Sequence, residues 1–201
     1  MTIPQVLPEV PDFAMGPANQ EKDNPPLKPE IIHTTIGSSD TLTPRIQGKW
    51  LVSCARPSIG YPFVYNREVS ITGSKYLDVI AAFLSPSDCQ ENKPMSMKLV
   101  VSGRLALVDG TQSTAKVNLT ADETSFVFYK DDSIFAFFKK INPELVLNQE
   151  KRSQKQRTTF DLMRVEGTKL CYGSLDKDKN GLSEVNRPET TDLDSCLTLT
   201  K

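Results

Sequence analysis

From Trp50 onward, apolar and polar residues alternate with a period of two, the pattern of strands with one wet face. Phe63, Tyr65, Val69 and Ile71 share one parity, while Asn66, Glu68, Ser70 and Thr72 take the other. Gly73-Ser74 turns the chain, and Tyr76 to Leu84 follows as a more continuously apolar strand ended by Ser85-Pro86-Ser87-Asp88. Met95, Met97, Leu99, Val101, Gly103, Leu105 and Leu107 keep one parity across the longest alternation, and Gly103 in its middle suits a bend or bulge. Asp109-Gly110 signals a hairpin, after which Ala115, Val117, Leu119 and Ala121 alternate with Thr114, Lys116, Asn118 and Thr120. Two aromatic strands are predicted next, Phe126 to Lys130 and Ile134 to Phe138, joined at Asp131-Asp132. A polar loop over 142–157, strands at Thr159 to Val165 and Lys169 to Tyr172, a long acidic loop and a last strand around Cys196 to Thr200 complete the series. No convincing amphipathic helix interrupts it. The pattern predicts an all-β domain over 45–201, an antiparallel up-and-down barrel of about 8–10 strands or a sandwich, and closure is favoured because it removes exposed strand edges.

The first 44 residues read differently. Pro4, Pro8, Pro11, Pro17, Pro25, Pro26, Pro29 and Pro44 fall there, and proline excludes both a stable helix and an interior strand. An extended arm or tether over 1–44, partly polyproline II, is expected. Val6, Leu7, Val10 and Phe13, with Ile3 and Met15, are apolar residues spaced along it. They suit a linear motif docking on a partner or on the barrel, or else a tether with incidental hydrophobes.

Charge changes this picture little. Lys and Arg number 24 against 25 Asp and Glu, so no global field gathers nucleic acid or an acidic membrane. The basic stretch Lys151, Arg152, Lys155 and Arg157 reads as a solvated hairpin tip rather than an anion site. No apolar run approaches the length of a spanning helix, and no basic region followed by an apolar core opens the chain. The four cysteines, Cys54, Cys89, Cys171 and Cys196, lack CxxC spacing and neighbouring histidines, which argues against a zinc site. Their even number in a small strand-rich chain points to two disulfides and an oxidising compartment, with four buried thiols as the alternative. Of three connectivities, Cys54 with Cys89 and Cys171 with Cys196 is preferred, because each pair then clips neighbouring strands at one end of the barrel.

Candidate chemistry is sparse. His33 is the single histidine and lies in the arm, so the body offers neither a Ser-His-Asp nor a Cys-His pair. No phosphate-cradling glycine loop is present, and the chain is read as non-catalytic, with only an unpatterned carboxylate pair left to acid and base chemistry. No cofactor is expected. The metal-like constellation is Asp176, Asp178 and Asn180 followed by Gly181, oxygen ligands at alternate positions before a sharp turn, as a calcium loop needs. Arg187 stands where the closing glutamate of an EF-hand belongs, and a solvated acidic turn is the competing reading. Asn118-Leu119-Thr120 matches a glycosylation acceptor, but inside a predicted strand.

Gly48-Lys49-Trp50 at the head of the first strand resembles the opening of lipocalins and related calycin barrels. Together with Ser53-Cys54, Ser87-Asp88-Cys89, Asn186-Arg187-Pro188-Glu189 and Leu193-Asp194, it is similar to a group of bacterial envelope lipoproteins and periplasmic proteins with lipocalin-like barrels. The resemblance covers about residues 46–201. It implies that Trp50 closes one end of the barrel, with Arg164 as the best placed arginine to pack over it. It also implies a periplasmic or outer-membrane-anchored address, reached through a signal segment and lipid-bearing cysteine missing from this chain, with the arm as tether. The function expected is a non-catalytic envelope barrel holding a small apolar ligand, lined by Trp50, Met97, Leu99, Val101, Leu105, Phe126 and Phe128, unless those side chains fill the interior. The alternative is an interaction module that binds another envelope protein as accessory subunit, assembly factor or inhibitor, through the barrel surface or the arm.

Overall fold

The structure, a computed structural model, describes residues 42–57, 63–91, 93–176 and 178–200. The arm residues Val6, Leu7, Val10 and Phe13, and His33, lie outside the described residues. Among the described residues nine strands are formed: β1 (Gly48–Ala55), β2 (Val64–Thr72), β3 (Lys75–Phe83), β4 (Met97–Gly110), β5 (Thr114–Phe128), β6 (Lys151–Ser153), β7 (Arg157–Glu166), β8 (Lys169–Tyr172) and β9 (Leu197–Thr200). Apart from β6 and β7, each pairs antiparallel with its neighbour in sequence, and β9 returns to β1 while β4 pairs with β5, which closes a ring. Strands β6 and β7 share one edge of β5, at Thr124–Phe126 and Thr114–Ala121 respectively. The result is a closed, eight-stranded, up-and-down barrel with β6 as an added flap.

Three bulges bend the walls, one of them between Leu107 and Asp109 on β4. Between Ser102 and Gly103 the β4–β5 register shifts, leaving Asp122 as the extra residue on β5. A Cβ at Gly103 would strike the Thr120 carbonyl oxygen, so the close approach of the two backbones there requires glycine. On β1 the register with β2 shifts between Val52 and Ala55, where Cys54 takes a φ of 53° and its amide is held by Asn66 Oδ1 at 2.8 Å. The bulge re-aims the Cys54 side chain toward Cys89 on the short helix α2 (Pro86–Gln90), which Ser85 caps. The disulfides are Cys54–Cys89 and Cys171–Cys196.

One end of the barrel is sealed by apolar side chains. A single-turn helix, α1 (Thr43–Ile46), precedes β1, and its Ile46 and the preceding Leu42 pack with Trp50, Val69, Ile71, Leu105 and Leu170. Trp50 is fully buried and donates its indole N–H to the Ile46 carbonyl at 2.8 Å. Trp50 therefore closes this end, as expected. Arg164 does not pack over it: Met163 and Val165 take the inward parity of β7, and Arg164 turns out to pair with Glu166 at 2.7 Å.

The second aromatic strand predicted from sequence is a helix, α3 (Ser133–Ile141). Ile134, Phe135 and Phe138 fall at helical spacing on one side and pack against Phe63, Met97, Phe126 and Phe128 near the other end of the barrel. Asp132 caps it by accepting from the amides of Ile134 and Phe135, and Lys139 and Lys140 occupy its last turn. The first aromatic segment is no separate strand either. It continues β5, which runs unbroken through the bulge to Phe128.

Strand β8 covers only Met163–Glu166 of β7, so the rest of that strand needs another partner. The long loop between β8 and β9 supplies it. Gly181 accepts from the Phe160 amide at 2.9 Å, and the nearly buried Arg187 donates to the carbonyls of Val117 and Asp161 and to Asn118 Oδ1. Glu184 holds the other side of that guanidinium through two hydrogen bonds.

Candidate functional site

The ladder registers fix which side chains point into the barrel. Trp50 pairs with Val69 and Leu199, Met97 with Phe128, Leu99 with Phe126, and Leu105 with Leu119. All seven residues expected to line an apolar cavity therefore face inward, yet they divide into two groups. Trp50, Leu105 and Val101 belong to the sealed end, whereas Met97, Phe126, Phe128 and Leu99 pack with α3. They do not form one continuous apolar lining.

Between the two clusters lies a polar belt that the sequence reading missed. Arg67 on β2 and Asp78 on β3 share the inward parity of Val69 and Tyr76, and they form a two-pronged ion pair. Arg67 Nε lies 3.1 Å from each Asp78 oxygen, and Nη2 lies 2.7 Å from Oδ2. The guanidinium sits 4.3 Å from the ring centre of Tyr172 on β8. Tyr65 and Tyr76 flank the pair on the same face of β2 and β3. Asp161, on β7, is buried and accepts from the Leu162 and Gly173 amides at 2.7 and 3.0 Å through one oxygen.

The charges and the burial act together on these groups. Burial raises the Tyr172 phenol above its ordinary value, opposed by Arg67 and reinforced by Asp78, Asp161 and Tyr76. Burial likewise pushes Tyr76 up to about 12, and Tyr65 upward. For Arg67 burial works against the charged form, but Asp78 and the neighbouring tyrosine oxygens outweigh it, and the guanidinium is held more firmly protonated than usual. Burial raises the Asp161 carboxyl against its two backbone donors and the attraction of Arg67 and Arg187. A tyrosine whose acidity is weakened by folding stabilises the fold below its ordinary pKa and loses that contribution as pH climbs through the raised one. A spectrophotometric titration at high pH should therefore find Tyr65, Tyr76 and Tyr172 ionising above the ordinary tyrosine range, with their ionisation coinciding with alkaline unfolding. Complete ionisation of every tyrosine near pH 10 in the folded protein would contradict the buried belt.

Ile80, Leu99, Val101 and Leu119 face inward and keep intermediate accessibility, as do Arg67 and Asp78, and they form a ring where the two apolar clusters meet. The charged side chains of that ring are 21% and 13% exposed.

In the acidic loop, side-chain oxygens are engaged by backbone amides. Asp176 Oδ1 accepts from the amides of Asp178 and Lys179 at 2.8 and 2.7 Å, and Asn180 Oδ1 accepts from Leu182. Lys179 pairs with Glu189, and among the described residues no group of three His, Cys, Asp or Glu side chains could hold an ion. Asp176 and Asn180 thus hold turns through their side-chain oxygens. In the basic stretch, Arg152 reaches Glu150 and Glu123 on the surface, but Lys151 and Arg152 lie in β6 and Arg157 in β7, paired with β5, rather than in the loop tip expected there.

No family model and no curated protein matches this sequence.

Proposed function

We propose that the protein is a non-catalytic binding barrel whose interior takes one small amphipathic molecule. The observation that carries this reading is the ring of partly accessible inward side chains where the two apolar clusters meet, with Arg67 and Asp78 at its polar side. Closed eight-stranded barrels are just wide enough for a single small ligand, and a few convergent polar groups in an otherwise apolar lining fix its orientation. The two disulfides are consistent with an extracellular or periplasmic location, and the proposal includes the envelope address that the resemblance implies. No helix among the described residues is long and apolar enough to cross a membrane.

Native mass spectrometry of the full chain, purified without reductant, tests the reading. The expected mass is four hydrogens below that of the reduced chain, with a single small-molecule adduct either retained or acquired after incubation with dodecanol. An oxidised protein that takes up no amphiphile would contradict it.

A second reading keeps the barrel as an interaction module. It is favoured by Val185 and Leu193, which are 78% and 58% exposed on the loop between β8 and β9, an apolar surface beyond what the fold requires. An envelope protein would be the partner, bound there or through the arm.

A further inference from the structure

Among the described residues, exposed apolar surface borders charge of opposite sign in two places. On the loop between β8 and β9, Val185 and Leu193 stand in sequence among the carboxylates of Glu184, Asp192 and Asp194. Beside α3 a surface groove of about 330 Å³ is lined by Asp131, Phe135, Ala136, Lys139 and Lys140. It combines an aromatic ring, a methyl side chain and two ammonium groups, with Lys139 Nζ 5.2 Å from the centre of the Phe135 ring. Lys139 and Lys140 are both exposed in the last turn of the helix, and Ile141 beside them is 44% exposed. The N-terminal arm carries a pattern of matching chemistry. Residues 7–12 are two copies of one triplet, apolar then proline then acid: Leu7-Pro8-Glu9 and Val10-Pro11-Asp12, with Phe13 opening a third turn. Polyproline II has three residues per turn, so this period places Leu7, Val10 and Phe13 on one edge and Glu9 and Asp12 on another. Proline fixes its own φ and keeps the residue before it extended, which biases Leu7, Pro8, Val10 and Pro11 to that conformation.

We infer that the groove beside α3 is the docking site of the chain's own residues 7–13, with the edge of Leu7, Val10 and Phe13 against its apolar surface and Glu9 and Asp12 toward Lys139 and Lys140. Charge selects this surface over the other one, because the carboxylates around Val185 and Leu193 would repel the same segment. Size suits it as well. In polyproline II the apolar edge repeats every 9 Å or so and residues 7–13 span about 19 Å, enough to cover the roughly 14 Å of α3 and its last turn. The connection is long enough. Leu42 packs at the sealed end of the barrel and α3 near the other, a separation of about 30 Å judged from a nine-residue strand such as β3. The 28 residues between Phe13 and Leu42 span about 30 Å as a coil and far more when extended. A tethered segment meets its site at an effective concentration of about a millimolar, so a weak contact of this kind suffices to keep it docked. Docking there is independent of what the barrel interior holds.

Zero-length carbodiimide cross-linking of the full oxidised chain, followed by peptide mapping of the isolated monomer by mass spectrometry, tests the docking. The expected result is amide links from Glu9 or Asp12 to Lys139 or Lys140 within one molecule. An arm that does not dock would link instead to lysines near its root, such as Lys75 and Lys169, which adjoin Tyr76 and Leu170 of the sealed end. Val10→Ser combined with Phe13→Ser keeps both carboxylates and leaves the barrel untouched, and it should abolish the links to Lys139 and Lys140. Links confined to the lysines of the sealed end would overturn the assignment. So would links to Lys139 and Lys140 that persist in the Val10→Ser, Phe13→Ser variant, since they would then owe nothing to the apolar edge. Links between these residues found only in a cross-linked dimer would overturn it too, and would give the groove to the arm of a second copy.

Discussion

Reduction of both disulfides lowers the thermal midpoint of the barrel by about 15–25 °C. Each bridge closes a loop, with sequence separations of 35 and 25 residues. In the chain-entropy model such loops restrict the unfolded chain by about 3.5–4 kcal/mol apiece, and one kcal/mol moves the midpoint of a domain this size by about 2–4 °C. The two bridges do different work in the native barrel. Cys54–Cys89 ties the bulge of β1 to α2, beside a β2–β3 wall that is already fully paired. Cys171–Cys196 holds the base of the long loop where β8 and β9 pair through only two residue positions, Lys169 with Thr198 and Leu170 with Leu197. Replacing Cys171 and Cys196 by serine should therefore open the seam between β7 and β1 first. Hydrogen exchange should accelerate at Phe160 and Gly181 before it does at β2 and β3. Differential scanning calorimetry with and without reductant checks the magnitude, and a shift below about 5 °C would rule out the constraint assigned to these bridges.

Asp78→Leu should cost about 3–5 kcal/mol, because it strands the Arg67 guanidinium inside the barrel with its remaining neighbours mostly phenols. The residual exposure of the pair, 21% and 13%, places the effect toward the lower end. Arg67→Met combined with Asp78→Leu removes both charges and should recover most of the loss, since a well-packed apolar pair is often as stable as a buried ion pair. Urea denaturation of the two single variants and the double closes the cycle, and a coupling of at least about 2 kcal/mol is expected. Additive effects would show that Arg67 and Asp78 do not act as a pair. The recovered double variant would also show that the fold does not depend on the charged pair.

The fold was legible because period-two alternation survives in nearly every strand, and because Gly48-Lys49-Trp50 marks where the barrel begins. Gly103 announced its bulge for the reason the structure gives, a backbone approach that no side chain tolerates. The helix α3 was misread because Ile134, Phe135, Ala136, Phe137 and Phe138 are apolar throughout, so neither period stands out. Its signals were at the ends, in the Asp132 cap and in Lys139 and Lys140. The belt was missed for a related reason. Arg67 interrupts the parity of Tyr65, Val69 and Ile71, Asp78 interrupts the run from Tyr76, and Asp161 interrupts the series ending in Met163 and Val165. A charge in the apolar parity of a barrel strand has to be paired or functional, and three such charges in one chain are the trace of the interior site. No sequence pattern could divide the expected lining into two clusters, because that depends on the stagger of the strands and on the packing of α3 against Met97 and Phe128.

The central claim is that the middle of the barrel is an enterable cavity, and fluorescence titration with N-phenyl-1-naphthylamine tests it most directly. Unmodified protein and a Leu119→Trp variant are compared, Leu119 being an inward, half-accessible residue of the ring whose enlargement fills the space. The account predicts saturable one-to-one binding that weakens by at least about tenfold in the variant, with the fold retained. Equal binding by both proteins would place the probe on the surface, and no binding by either would mean that the interior is closed; each result would contradict the account.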